Sequence, residues 1–130
     1  MKYKLTNDTI TVASRTLYRI EALKDFKEIK KYDLGGYIES EDNLSQEGNC
    51  WVHDDARVYS KGRVQDNAQI YNNAQVFDNG KVSQCALVAQ SGAVAGNGQI
   101  SGYVVVLGEG FVAGHANLTG NQTIHWDIYK

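Results

Sequence analysis

The chain has no long apolar run. Nothing in its 130 residues approaches the ~18–20 apolar residues needed to cross a bilayer, so no membrane partner is expected. The first residues, MKYKLTNDTITV, lack the apolar core of a secretory leader, and the expectation is a cytoplasmic protein. An excess of one charge is also missing: 13 Lys and Arg stand against 15 Asp and Glu, a net charge of -2. The Lys-rich stretch Lys24–Lys31 is diluted by Asp25 and Glu28 and reads as solvated surface, so nothing points to nucleic acid. Cysteine is scarce. Cys50 and Cys85 lie 35 residues apart (85 − 50). In the repeat described next that is almost two coils, about 10 Å at ~4.8 Å per coil and beyond the ~7 Å reach of a disulfide. Both read as structural thiols in a reducing compartment. With 42% hydrophobic and 22% charged residues, the composition is that of a folded chain and excludes disorder.

A six-residue rhythm is present throughout the rest. Val52, Val58, Val64, Ile70, Val76, Val82, Val88, Val94, Ile100, Val106, Val112, Leu118 and Ile124 follow one another in steps of six without a gap. Two residues before each stands a second series, from Cys50, Ala56 and Gly62 to Gln122, in which eleven of thirteen are Cys, Ala or Gly. Positions i and i−2 of a strand share a face, so each repeat turns one aliphatic and one small side chain inward. The corners carry Asp54, Asp66, Asn72, Asp78, Gly96, Gly102, Gly108, Gly114 and Gly120, residues that tolerate left-handed backbone and tight turns. Three short strands make a triangular coil of eighteen residues. The stacked coils form an all-β, parallel β-helix of about four coils over residues 49–126, preceded by a small β-rich cap (1–48) and followed by a short tail (127–130). An antiparallel meander predicts irregular spacing, not one phase held for 78 residues.

The small-then-aliphatic hexad resembles the trimeric hexapeptide-repeat family of left-handed β-helices. The left-handed sense is implied by that resemblance, since right-handed crossovers are the general rule. Leu17–Leu23 and Asp33–Tyr59, the latter reading DLGGYIESEDNLSQEGNCWVHDDARVY, resemble hexapeptide-repeat proteins carried by bacteriophages and prophages. That likeness implies a phage or bacterial origin, hence a bacterial host cytosol, and little about chemistry.

Within the cap, Tyr3–Leu5, Thr9–Val12 and Thr16–Ala22 read as strands, with a turn at Asn7–Asp8 between the first two. Lys24–Lys31 reads as a short helix or a charged loop. Trp126, Ile128 and Tyr129 are expected to fold across the far end or to pair with another subunit.

Strand residues beside the inward aliphatics point outward and sort into three faces. The first carries Trp51/His53, Gln69/Tyr71, Leu87/Ala89, Val105/Leu107 and Thr123/His125. The second carries Arg57/Tyr59, Gln75/Phe77, Ala93/Ala95 and Phe111/Ala113. The third carries Arg63/Gln65, Lys81/Ser83, Gln99/Ser101 and Asn117/Thr119. The third is polar throughout and reads as a solvated wall. The first two are apolar in the later coils, and Leu87, Val105, Leu107 and Phe111 are the expected interface of a homo-oligomer. The family resemblance implies a trimer. In the earlier coils Trp51, His53, Arg57, Tyr59, Tyr71 and Phe77 set aromatic planes beside a cation. That combination suits a nucleotide-like ligand by stacking and charge-assisted hydrogen bonding. The plainer reading of the same residues is the rim of a subunit contact or packing against the cap.

Catalytic signals are sparse. Acyltransferases of the hexapeptide class need a general-base histidine and commonly an inserted loop over the acyl-CoA donor. The hexads here contain no insertion. Of the three histidines, His115 lies at a corner, while His53 and His125 are four coils apart, ~19 Å by strand spacing. Neither a metal site, a resident cofactor nor a catalytic residue is expected. The reading is a non-catalytic oligomeric binding protein, phage or prophage encoded, that sequesters a host nucleotide-type ligand or masks a host protein in counter-defence. The alternatives are a CoA-dependent acyltransferase and a structural spacer.

Overall fold

The structure is a computed structural model that describes residues 1–130. Three β-walls enclose one apolar core. Wall 1 stacks β4 (Trp51–Val52), β7 (Gln69–Ile70), β10 (Leu87–Val88), β13 (Val105–Val106) and β16 (Thr123–Ile124). Wall 2 stacks β3 (Leu34–Ile38), β5 (Arg57–Val58), β8 (Gln75–Val76), β11 (Ala93–Val94), β14 (Phe111–Val112) and β17 (Ile128–Tyr129). Wall 3 stacks β6 (Arg63–Val64), β9 (Lys81–Val82), β12 (Gln99–Ile100) and β15 (Asn117–Leu118), extended by a parallel bridge from Leu44 to Val64. Every pairing within these stacks is parallel, and residue i faces residue i+18 in pairs such as Arg63 with Lys81. The chain is a parallel β-helix of about five coils, six levels on wall 2 and five on wall 1.

The stacking runs past residues 49–126 at both ends. Leu34–Ile38, which lacks the hexad, already pairs parallel with β5. At the far end Phe111 faces Ile128, a step of seventeen, so one residue is dropped in the last coil. The tail is therefore another rung of wall 2.

Tight geometry explains the small inward residues. A Cβ built on Gly80 would fall 2.6 Å from the Val94 carbonyl oxygen of the next coil. The aliphatic series fills the remaining space: Val52, Val58, Ile70, Val76, Val82, Val88, Val94, Ile100, Val106 and Val112 are all fully buried. Each contributes roughly 1.5–3 kcal/mol of transfer free energy.

Corners have positive φ at thirteen successive positions six residues apart, from Gly48 to Gly120. In the early coils these are mostly not glycine. There the corner side chain accepts the amide of the corner one coil on: Asp54 from Asn72 (2.9 Å), Asp66 from Gln84 (2.9 Å) and Asp78 from Gly96 (3.0 Å). Asn72, Gln84 and Gln90 do the same for Gln90, Gly102 and Gly108. A left-handed non-glycine residue is strained, and at six of the seven non-glycine corners, Ser60 being the exception, the strain is offset by one added hydrogen bond.

The N-terminal segment covers the first coil and lengthens wall 2. β1 (Tyr3–Val12) pairs antiparallel with β2 (Arg15–Ala22), and β2 pairs antiparallel with β3. The hairpin reverses at Ala13–Ser14, whose φ values are 51° and 63°, not at Asn7–Asp8. Those two residues sit in a bulge between Leu5 and Thr9. Thr6 Oγ1 closes it by donating to the Arg19 carbonyl (2.9 Å) while accepting from Asp8 N (3.2 Å). Lys24–Lys31 is a loop, turned by Lys27 (φ 50°) and closed by a Phe26–Ile29 bridge.

Polar staples fix the cap to the coil. Buried Lys2 donates to the carbonyl of Cys50 (2.8 Å) and to that of Gly48 (3.3 Å). Burial lowers the Lys2 pKa and raises that of Cys50. Cys50 is thus an interior thiol, whereas Cys85 is exposed at a corner. Arg19 stacks on Tyr37 (4.3 Å) and reaches the Asp54 carbonyl (3.2 Å) and the Asp55 carboxylate (3.1 Å). Asn43 ends a 3-10 turn (Glu41–Asn43) and is fully buried. Its Oδ1 accepts from Glu39 N (3.0 Å) and Ser40 N (2.9 Å), and its Nδ2 donates to the carbonyls of Ser60 (3.2 Å) and Gly62 (2.9 Å).

Asn43→Ala leaves two amides and two carbonyls without these partners. The expected loss is about 3 kcal/mol, a fall of roughly 10 °C in Tm for a chain of this size. Thermal unfolding followed by circular dichroism checks this, and an unchanged Tm contradicts the stapling role.

Candidate functional site

The corner between walls 1 and 2 runs the length of the coil through Asp54, Asn72, Gln90 and Gly108. On the wall 1 side stand His53, Tyr71, Ala89, Leu107 and His125. On the wall 2 side stand Arg57, Gln75, Ala93, Phe111 and Ile128. The ridge therefore changes character along its length. It is polar and aromatic near the cap, alanine-lined in the middle and apolar at the far end.

The six residues expected to hold a ligand fall into separate places. His53 and Tyr71 stack in parallel, with ring centroids 4.1 Å apart and planes 15° apart. Gln69 Nε2 donates to the carbonyls of Asn49 (2.8 Å) and Asn67 (3.1 Å), which turns its Oε1 toward His53 Nε2 at 2.7 Å. His53 Nε2 then carries the hydrogen. Tyr59 and Phe77 form a second stack, 5.2 Å apart and 4° from parallel, on the opposite side of wall 2.

Two of the six are not open to a ligand. Trp51 was expected on the outside, but it is 1% exposed. The cap folds over it, with Tyr3 (6.2 Å) and Phe26 (5.3 Å) meeting its ring edge-on. Tyr59 is buried with Leu17 and Tyr37 beneath the β1–β2 hairpin, and its hydroxyl donates to Gln75 Oε1 (3.0 Å). Arg57 makes no ion pair, and its Nε is buried without a hydrogen-bond partner. Burial raises the pKa of Tyr59 and of Tyr71, with Asp78 adding to the first and Glu28 to the second. Both phenols stay protonated at neutral pH. No cavity joins the two stacks.

The four interface candidates lie together. Leu87, Val105 and Leu107 are half-exposed on wall 1, and Phe111 is half-exposed across the corner. The tail adds two residues that the hexad pattern did not assign to this strip. Trp126 is 70% exposed and lies against Gly108, and Ile128 is 65% exposed beside Phe111. Their departure from the six-residue phase hid their place on the ridge, although their apolar character was visible.

None of His53, His115 and His125 is ion-paired with a carboxylate, and no three His, Cys, Asp or Glu side chains converge as metal ligands.

Wall 3 holds a feature that sequence reasoning missed. The Ser40–Asn43 segment and the wall together border an open cleft of about 470 Å³ lined only by polar residues and glycine, including Lys61, Arg63 and Lys81. The eighteen-residue step between Arg63 and Lys81 was the available signal. The Ser40–Asn43 segment that makes a cleft of it was not.

Comparison with known proteins is limited in extent. A 48-residue stretch is 40% identical to the uncharacterized acetyltransferase YdcK of Escherichia coli (strain K12), over 37% of this chain and 15% of that protein's length. The matched stretch thus spans about one seventh of that relative. No known family profile matches the chain. The likeness agrees with a hexapeptide-repeat β-helix.

Trp51→Ala tests the placement of that ring. Removing a buried indole is expected to cost about 3–5 kcal/mol, read as loss of denaturant resistance. A variant with unchanged stability would return Trp51 to the surface.

Proposed function

We propose that this protein is a non-catalytic, homo-oligomeric binding protein whose copies meet along the ridge between walls 1 and 2. One observation carries the reading: Leu87, Val105, Leu107, Phe111, Trp126 and Ile128 leave apolar surface uncovered on walls 1 and 2 of the later coils, beside a uniformly polar wall 3. Soluble monomers rarely leave such a surface uncovered. A trimer fits best, because two adjoining walls of a triangular prism can both face a three-fold axis. In that arrangement the His53–Tyr71 stack sits at the polar end of each inter-subunit groove. Its flat ring faces suit a planar, nucleotide-like ligand. The phage-like cap sequence supports a role in a bacterial cytosol, sequestering such a ligand or masking a host protein, and two unpaired thiols fit a reducing compartment.

A second reading, CoA-dependent acyl transfer, is favoured by the likeness to an acetyltransferase over 48 residues. The unbroken hexads and the absence of a His–carboxylate pair weigh against it.

Analytical ultracentrifugation at micromolar protein is expected to give a trimer, and Leu107→Asp a monomer with unchanged circular dichroism. A wild-type monomer refutes the interface. Steady release of CoA from acetyl-CoA with a common amine or hydroxyl acceptor would overturn the non-catalytic assignment.

A further inference from the structure

The cleft on wall 3 is formed by two independent parts of the chain. Its floor is the wall itself, where Arg63 and Lys81 are in direct register on neighbouring parallel strands. Lys61 comes from the adjoining corner. Its other side is Ser40–Asn43, fixed because Asn43 bonds both its own segment and the Ser60 and Gly62 carbonyls.

None of the three cations is satisfied within the chain. Lys61, Arg63 and Lys81 make no ion pair and no side-chain hydrogen bond, in a protein whose net charge is -2. Like charges placed directly opposite on adjacent strands are destabilising. A sequence free to vary on a solvated wall has no physical reason to stack Arg on Lys with a third cation beside them. Asp42 is the one carboxylate lining the cleft. Arg63 also borders a smaller cleft with Glu41, Asp42 and Asp66.

We propose that this cleft binds a small, multiply charged phosphate compound. Its volume falls within the ~300–1,000 Å³ usual for small-molecule sites. No aromatic or aliphatic side chain lines it, so it offers nothing to a nucleobase. Its amides and hydroxyls, from Ser40, Ser60, Asn79 and Gln99, suit phosphoryl oxygens and the hydroxyls of a polyol. Arg63 supplies a planar fork for two phosphoryl oxygens, while Lys61 and Lys81 act as point charges. The ligand neutralises the stacked cations and so stabilises the fold by mass action. The site lies away from the apolar ridge and does not depend on assembly.

Isothermal titration of the full chain with tripolyphosphate is expected to show one site per chain and a matching rise in melting temperature. Arg63→Gln and Lys81→Gln should each weaken binding by about tenfold while retaining the parent fold by circular dichroism. Lys24→Gln, remote from the cleft, should leave binding unchanged. Tighter binding of fructose 1,6-bisphosphate than of tripolyphosphate assigns the site to an organic phosphate ester, and the reverse order to inorganic polyphosphate. Three results overturn the proposal: no binding at millimolar tripolyphosphate, equal weakening by Lys24→Gln, or citrate binding as tightly as either phosphate. A monomeric Leu107→Asp variant that still binds tripolyphosphate keeps this site separate from the fate of the ridge interface.

Discussion

Parallel stacking at a fixed step of eighteen residues is the constraint on which everything else rests. No strand of the coil proper is longer than two residues, too short to be stable alone. Each gains its hydrogen bonds from the coil before and the coil after, as in Arg57 N to the Ala74 carbonyl (3.0 Å) and Gln75 N to the Gly92 carbonyl (3.1 Å). A change of register would move the aliphatic series off the inside and place the corner residues in mid-wall. Stability is therefore close to a sum of coil-to-coil contacts, and the unpaired ends are the weak points.

The two ends are treated differently. At the first coil, Lys2, Arg19, Asn43 and the buried Trp51 bind the N-terminal cap to the coil at several separate points. At the last, Leu118 and Tyr129 are only partly covered, and Gln122 replaces the small inward residue. The corner ladder fades in the same direction. From Gly96 onward glycine takes the left-handed positions, and a glycine has no side chain to accept the next amide. The apolar end of the ridge lies in these less clamped coils. Association there would both cover the strip and support the rungs that the chain supports least.

Much of this was legible in the sequence because a hexad states its own geometry. Thirteen inward aliphatics and their small neighbours define the walls, their direction and which residues face out. The corners were only partly legible: Ser60, Gln84 and Gln90 adopt the left-handed conformation without being residues that favour it. What decides for the two glutamines is a hydrogen bond to the corner eighteen residues on, at 2.7 Å and 2.6 Å, which local propensity does not register. The cap was less legible still. Its fold depends on contacts between distant segments, and those contacts bury Trp51 and Tyr59, whose strand phase alone places them outside. The wall 3 cleft was hidden for the same reason, since one of its sides, Ser40–Asn43, belongs to the cap.

The walls thus differ: walls 1 and 2 meet at a ridge that turns apolar toward its far end, and wall 3 carries Arg63 and Lys81 in register without an ion pair. All of it presupposes exchangeable coils in fixed register, and excision of one complete coil tests that most directly. Deleting Asp78–Ala95, eighteen residues, joins Phe77 to Gly96, which is itself a left-handed corner, and returns every later strand to its own wall. The account predicts a folded β-protein with one cooperative thermal transition by circular dichroism, at a reduced melting temperature. A chain without cooperative unfolding would contradict it.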